Sequence, residues 1–430
     1  MSSPSVGQGT ASLHEQRSRR ALEAFAELPG RYLGAADDFD ATFEIRLGDV
    51  GRTWQVRLNG PQCSVRPSTA REPDVVIGTD ASTWLALREG RLSGLEAFSQ
   101  RRLYARGNLD LALGFEGMFH LPGGREPLLH IARTPTCHAG VTSLIAGCGR
   151  EQVICLHGLG SNKVSFFETV AELARDHTVH ALDLPGFGSS DKPARGTYDA
   201  AWFAEAVTSY MTARGIERAH LLGNSMGGRI AIEVGFRYPE RVSSLSLLAP
   251  ALAFRRRHLA RLVRLLRPEL AAIPHPVREA LVREQFMDLF ADRERLDPAA
   301  AEIAVDEFCR SYRSRAARVA FFAAARNIYL DEPYGEDGFY AQLAQLEPPA
   351  LFIWGEQDRL IPPAFARHVA DALPSASQQI LVECGHVPQV ELPELTNALI
   401  QTQIAAATRA ATAATERSAG VISRVLRRTG

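Results

Sequence analysis

Lysine is nearly absent from this 430-residue chain: of its 48 basic residues only Lys163 and Lys192 are lysines. That bias fits the codon usage of a GC-rich genome and carries no functional weight. Net charge is close to absent as well, formally −1 at pH 7. Without an overall positive field to gather a polyanion by counterion release, nucleic acid is not an expected partner. Cysteine is sparse, and Cys63, Cys137, Cys148, Cys155, Cys309 and Cys384 are scattered with no C-x-x-C pair and no metal-ligand spacing. No metal site is therefore expected from them, and no motif calls for a cofactor. No apolar run is long and charge-free enough to span a bilayer, and MSSPSVGQGTASLHEQRSRR has no stretch resembling a signal peptide. The expectation is a cytoplasmic protein with reduced thiols.

What is present is ample core material, 46% hydrophobic against 23% charged residues, in a chain longer than one hydrophobic core usually serves. Two domains are expected. Residues 1–14 are small and polar and read as a mobile arm. From Arg17 to Leu28 the residues Leu22, Phe25 and Leu28 share a helical face, which Pro29-Gly30 ends. ATFEIRLG and TWQVRLNG read as antiparallel strands, with a third near Asp74–Gly78. Asp80 or Ser82 can cap a helix carrying Trp84, Leu85 and Leu87, and a helix, a short strand and a second helix follow. The Ser93-Gly94-Leu95-Glu96-Ala97-Phe98 turn and the Gly107-Asn108-Leu109-Asp110 helix start give this stretch its character. Over about residues 15–121 it resembles the sterol-carrier-protein-like lipid-binding fold, a small α+β domain. The resemblance implies an apolar tunnel for acyl chains or sterols, hence a lipid held in the N-terminal domain.

A linker rich in turn formers is expected over residues 122–135. Beyond it VICLHG, TVHALDLPG, AHLLGNS, SSLSLLAP and ALFIWG are short, apolar and continuous, as in strands buried on both faces of a parallel sheet, with helical patterns between them. An α/β domain is therefore expected over residues 136–406, with a helical lid inserted at about 251–347 and an alanine-rich, then basic, tail at 407–430.

The chemistry centres on Gly223-Asn224-Ser225-Met226-Gly227-Gly228, between a strand and a helix beginning near Met226. A serine on so sharp a turn needs small neighbours, supplied by Gly223 and Gly227. A serine hydroxyl is a poor nucleophile without an imidazole to take its proton and a carboxylate to orient that imidazole. Asp358 in WGEQDRLIP and His386 in ECGHVPQVELPE follow Ser225 in the required order, at the carboxyl ends of expected strands. For the oxyanion the candidates are the N–H groups of Leu159, in the His157-Gly158-Leu159-Gly160 turn, and of Met226. His157 reads as a hydrogen-bonding support and not a proton carrier.

LHGLGS, DLPGFGSSDKP from Asp183, GNSMGG, WGEQDRLIP and CGHVPQ together resemble the α/β-hydrolase superfamily over residues 137–406. The resemblance implies a mostly parallel sheet with a lid and the catalytic roles above for Ser225, Asp358 and His386. Epoxide hydrolases and haloalkane dehalogenases of this fold carry a carboxylate at the elbow, where this chain has Ser225. GNSMGG is similar to the elbow of carbon–carbon bond hydrolases acting on ring-cleavage products, but those place tryptophan after the catalytic histidine, where Val387 stands here, and differ at Leu159-Gly160-Ser161. The expectation is a lipase-like serine esterase or thioesterase acting on a small-molecule acyl or lipid substrate. The alternatives are a carbon–carbon hydrolase and a non-catalytic lipid carrier. FRRRHLARLVRLLRP sets Arg257, Arg261 and Arg264 opposite Leu259, Leu262, Val263 and Leu266, a pattern that raises peripheral membrane contact. Oligomeric state is not legible.

Overall fold

The computed structural model describes residues 8–68, 72–125, 127, 129–253, 268, 278–296, 298–328 and 331–426. The chain divides into two compact units, Met1–Ala132 with Leu144–Gly147, and Arg133–Ser143 with Cys148–Gly430.

The first unit opens with a helix over Gln8–Ala26. The segment from Gln8, expected as part of a mobile arm, is thus helical. The helix gives way at Glu27 to a single turn, Leu28–Arg31, that takes Pro29 into its first turn, where a missing N–H costs nothing. Five strands follow: β1 (Asp40–Leu47), β2 (Arg52–Asn59), β3 (Gln62–Pro67), β4 (Val75–Thr79) and β5 (Leu103–Gly107), in sheet order β3-β2-β1-β4-β5. β1 and β2 form the expected antiparallel pair, while β4 joins β1 in parallel. β3 was not expected, because a largely exposed edge strand has no apolar signature and is held by its pairing with β2. Asp80 caps helix Ala81–Arg88 by accepting from Thr83 N, and Ser93 with Glu96 forms a capping box at Gly94–Ser99. In the core Phe25 lies stacked between Trp54 at 4.2 Å and Trp84 at 4.4 Å.

An eight-stranded sheet has the order β13-β12-β11-β10-β8-β9-β7-β6. Its strands are β6 (Leu129–Pro135), β7 (Gly140–Ala146), β8 (Gln152–Leu156), β9 (Thr178–Leu182), β10 (Ala219–Asn224), β11 (Val242–Leu248), β12 (Ala350–Gly355) and β13 (Ser377–Leu381). From β9 to β13 every neighbouring pair is parallel. β10 and β12 are buried along their whole length, as their unbroken apolar runs require. β6 occupies part of the segment expected as a linker, so residues 129–135 are sheet. After β8 the chain runs to β9 on one side and then returns to β10 on the other. Such a reversal marks the carboxyl ends of β8 and β10 as the place where open α/β sheets bind their ligands.

Between β11 and β12 lie the helices Glu279–Met287, Pro298–Arg313, Arg315–Asn327 and Phe339–Leu343. Arg257, Arg261, Arg264 and their apolar counterparts fall outside the described residues. The C-terminal helix spans Pro393–Leu426, so it runs on through most of the segment expected as a separate tail from residue 407. Apolar periodicity fades there, but alanine needs no partner to favour helix. Among the described residues no helix is long and apolar enough to cross a membrane.

Candidate active site

Three chain reversals meet at the carboxyl ends of β8, β10 and β12. At the first, Ser225 sits between β10 and helix Met226–Arg237 at φ 52°, ψ −115°. A side chain in that region carries strain of about 1–3 kcal/mol, tolerated only where the surroundings enforce it. Here they do. Ser225 N–H donates to Leu248 O at 2.9 Å, and Ser225 O accepts from Ala251 N at 2.9 Å and Arg229 N at 3.1 Å. The flanking glycines are required by close approach. A Cβ on Gly223 would lie 2.3 Å from Gly227 O, and one on Gly227 would lie 1.9 Å from Leu156 O. Ser225 itself is only 4% exposed.

The second reversal is His157-Gly158-Leu159-Gly160, directly after β8. A Cβ at Gly158 would meet Ser225 Cβ at 3.4 Å and Asn224 Oδ1 at 3.1 Å, so this turn lies against the serine. Ser161 N closes it by donating to Gly158 O at 3.2 Å. The N–H of Leu159 is not used by that closure, and Met226, first in its helix, has no acceptor within the helix. His157 is fully buried. Its Nε2 accepts from Leu184 N at 3.0 Å, which leaves Nδ1 to donate to Gly158 O at 2.8 Å. Burial pushes the imidazole below its ordinary range, against the Gly158 bond and Asp183, and Lys163 pushes it further down. A neutral ring with both nitrogens engaged supports the turn and has no capacity to relay a proton.

At the third reversal Asp358 follows β12. Its Oδ1 accepts from Leu360 N and Ile361 N, each at 2.8 Å, and its Oδ2 meets His386 Nδ1 at 2.7 Å. Both residues are buried at 4% exposure. The carboxylate therefore fixes the proton on Nδ1 and leaves Nε2 as the basic nitrogen. The histidine loop is fastened to the serine turn through Asn224, whose Nδ2 donates to both Leu248 O and His386 O at 3.1 Å.

Sequence reasoning named Asn224 and Glu391 within motifs but gave neither a task. Glu391 is buried, and its two oxygens accept from Gly385 N at 2.6 Å, Ala291 N at 2.8 Å and Asp292 N at 2.9 Å. His386 N donates in turn to Leu289 O at 2.7 Å. The 289–292 segment and the histidine loop are thus bound to each other through one carboxylate. The only signal in the sequence was a glutamate in an apolar context, VPQVELP. A second buried pair, Lys163 Nζ to Asp183 Oδ2 at 2.7 Å, ties the segment after the glycine turn to the DLPGFG turn, with Lys163 N and Ser189 N completing the carboxylate's bonds.

Above the glycine turn stand aromatic side chains from the 298–327 helices. A Cβ on Gly160 would lie 3.0 Å from Phe321 and 3.1 Å from Phe308. Phe308, Tyr312, Phe321 and Phe322 form a chain of ring contacts at 5.3–6.3 Å between centroids. The approach to the serine is therefore apolar on this side. Among the described residues no group of three or more His, Cys, Asp or Glu is placed to hold a metal ion.

Residues 152–393 match the family described as alpha/beta hydrolase fold, and residues 22–120 match the SCP-2 sterol transfer family. A pimeloyl-[acyl-carrier protein] methyl ester esterase from Aeromonas hydrophila is 29% identical over 245 residues, 56% of this chain and 91% of that protein. A 2-hydroxymuconate semialdehyde hydrolase from a Pseudomonas species is 28% identical, over 56% of this chain and 81% of that one. Among solved structures, a bacterial membrane phospholipase A described as a virulence factor aligns with TM-score 0.55 and 27% identity, covering 65% of this chain and 87% of that one. The chain belongs to the α/β-hydrolase fold family and carries at its N-terminal side a unit of the SCP-2 sterol transfer family.

Proposed function

We propose that the chain is a serine hydrolase of carboxylic esters or thioesters with an apolar acyl part, in which Ser225, Asp358 and His386 form a catalytic triad. The observation that carries this is the joined geometry of the three reversals. Asp358 holds His386 by a 2.7 Å bond, and the His386 carbonyl is bonded to Asn224, next to a serine forced to φ 52°. In the reaction His386 Nε2 takes the hydroxyl proton as Ser225 Oγ bonds to the carbonyl carbon. The carbonyl oxygen becomes an anion received by the N–H groups of Leu159 and Met226. Collapse of that adduct breaks the bond to the leaving group, which departs with the proton from His386. Water then repeats the sequence on the acyl-enzyme and releases the acid. Asp358 holds the ring and stabilises its transient positive charge throughout.

The aromatic cover of Phe308 and Phe321 favours an apolar acyl group, and the esterase among the relatives supports cleavage of an ester. In the test, Ser225→Ala is assayed on a short-chain aryl ester. Turnover is expected to fall by about a thousandfold or more with unchanged circular dichroism. Full turnover in that variant would remove Ser225 from its role. The GNSMGG elbow and the semialdehyde hydrolase relative favour a second reading, cleavage of a carbon–carbon bond next to a carbonyl. Consumption of a ring-cleavage dienoate faster than of aryl esters would select it.

A further inference from the structure

Both ends of the loop that carries the Leu159 N–H are fastened to the same two consecutive residues. At its start Leu184 N donates to His157 Nε2 at 3.0 Å. At its end Lys163 donates twice to Asp183, from its backbone N to Oδ1 at 2.8 Å and from Nζ to Oδ2 at 2.7 Å. Lys163 is 2% exposed and Asp183 is fully buried. The anchor is itself built around that carboxylate. Ser189 N donates to Asp183 Oδ2 at 2.8 Å and Ser190 Oγ to Asp183 O at 2.6 Å. A Cβ on Gly188 would lie 2.2 Å from Asp183 Cγ, so the DLPGFG turn closes directly on the carboxylate. Beyond the clamp the chain enters a short helical turn, Lys163–Phe166, whose Phe166 is fully buried.

Between these anchors the chain includes Gly158 and Gly160, the latter at φ 74°. Glycine leaves the backbone direction open, and the closure from Ser161 N to Gly158 O does not involve Leu159. An oxyanion donor has to point at the charge before it forms, and a misplacement of about 1 Å costs about a hundredfold in rate. Gly158 lies against Ser225 and Gly160 against Phe308 and Phe321, so drift of the loop would turn the donor relative to the serine. An apolar pair of similar volume would hold a fold at least as well as two charges stripped of water. What the charged pair adds is a bond of fixed length and direction. We propose that Lys163 and Asp183 are a positioning pair for the oxyanion donor, fixing the direction of the Leu159 N–H without touching substrate. The proposal rests on the reading of Ser225 as nucleophile and Leu159 as donor. Loss of the pair is then felt by the transition state and hardly at all by the bound ester.

The test compares the full-length wild type, Lys163→Met and the double variant Lys163→Met/Asp183→Asn on a short-chain aryl ester and on an aryl trifluoromethyl ketone. The ketone's carbonyl carbon bonds to Ser225 Oγ, the hydroxyl proton passes to His386, and the ketone oxygen becomes an anion facing the same N–H groups. Titration to completion with a fluorophosphonate counts the active sites, so that loss of folded protein does not enter the rates. Per active site, kcat of the double variant is expected to fall at least about tenfold with KM within about threefold of the wild type. Ki for the ketone is expected to rise by about the factor by which kcat/KM falls. A pair with only a structural role would lower Tm and the number of titrated sites but leave kcat per site and Ki unchanged, and that result would overturn the proposal. A rise in KM alone would overturn it as well. Lys163→Met by itself strands a buried carboxylate, so if it does not fold the double variant, in which neither charge remains, carries the comparison. A wild type that the fluorophosphonate leaves unlabelled would remove the hydrolase reading and this proposal with it. A labelled wild type whose double variant keeps full kcat and Ki would overturn the positioning role alone.

Discussion

At the scale of single residues, the groups that make the serine site workable are not those that would touch substrate. Glu391 receives three backbone N–H groups from two segments, and one of them, Gly385, precedes the histidine. Glutamine has one carbonyl oxygen in place of two and must set an NH2 against an N–H, so at least one of those bonds is lost. Glu391→Gln is expected to lower kcat about tenfold or more with KM nearly unchanged, and Glu391→Asp to recover part of it. A rise in KM alone, seen in steady-state kinetics, would assign Glu391 to binding instead. His157 gives a prediction in pH. Its folded value lies below the ordinary histidine value, so the unfolded chain takes up a proton first on acidification. The stability it contributes is complete above about pH 6.5 and is lost as pH falls below that. His220, held down chiefly by its burial, acts in the same direction. Calorimetry is expected to show Tm falling on acidification from about pH 7.5 to 5.5, and falling less steeply in His157→Gln. An equal slope in both proteins would exclude His157 as a source.

Elements explain which parts of the fold could be read in advance. Strands at the centre of the sheet announce themselves because both faces are covered and every position is apolar, as in ALFIWG and AHLLGN. The edge strands do not. β3 has an exposed pattern, and LHIARTP in β6 mixes polar and apolar residues, since an edge is held by backbone pairing. The helix through Leu426 runs into the expected tail because alanine propensity, and not an amphipathic stripe, carries it. The serine elbow was legible because its constraint is local: glycines at fixed offsets around a strained residue. Gly227→Ala tests that constraint, since its Cβ would lie 1.9 Å from Leu156 O. A stability loss of about 3 kcal/mol or more is expected in urea denaturation, together with loss of turnover. A variant as stable as the wild type would mean that the helix has room to withdraw from β8.

On the scale of the whole molecule, two units with separate cores hold separate polar features, one the joined turns of Ser225, Asp358 and His386 at the carboxyl ends of inner strands and one a buried cation among aromatic rings. The motifs pointed to the residues of the first in advance, because the proposed catalysis demands residue types in a fixed order. The cation, Arg88, could not be found that way, since a single arginine at a helix end is indistinguishable in sequence from a solvated one. What sets it apart is its burial against the Trp84 and Phe119 rings. The central claim is that Ser225 is an activated nucleophile, and it is tested most directly by treating the protein with a fluorophosphonate and mapping the adduct by peptide mass spectrometry. A single adduct on Ser225, absent after Asp358→Asn or His386→Ala, is the predicted result. A protein that stays unlabelled, or that is labelled on another serine, would contradict it.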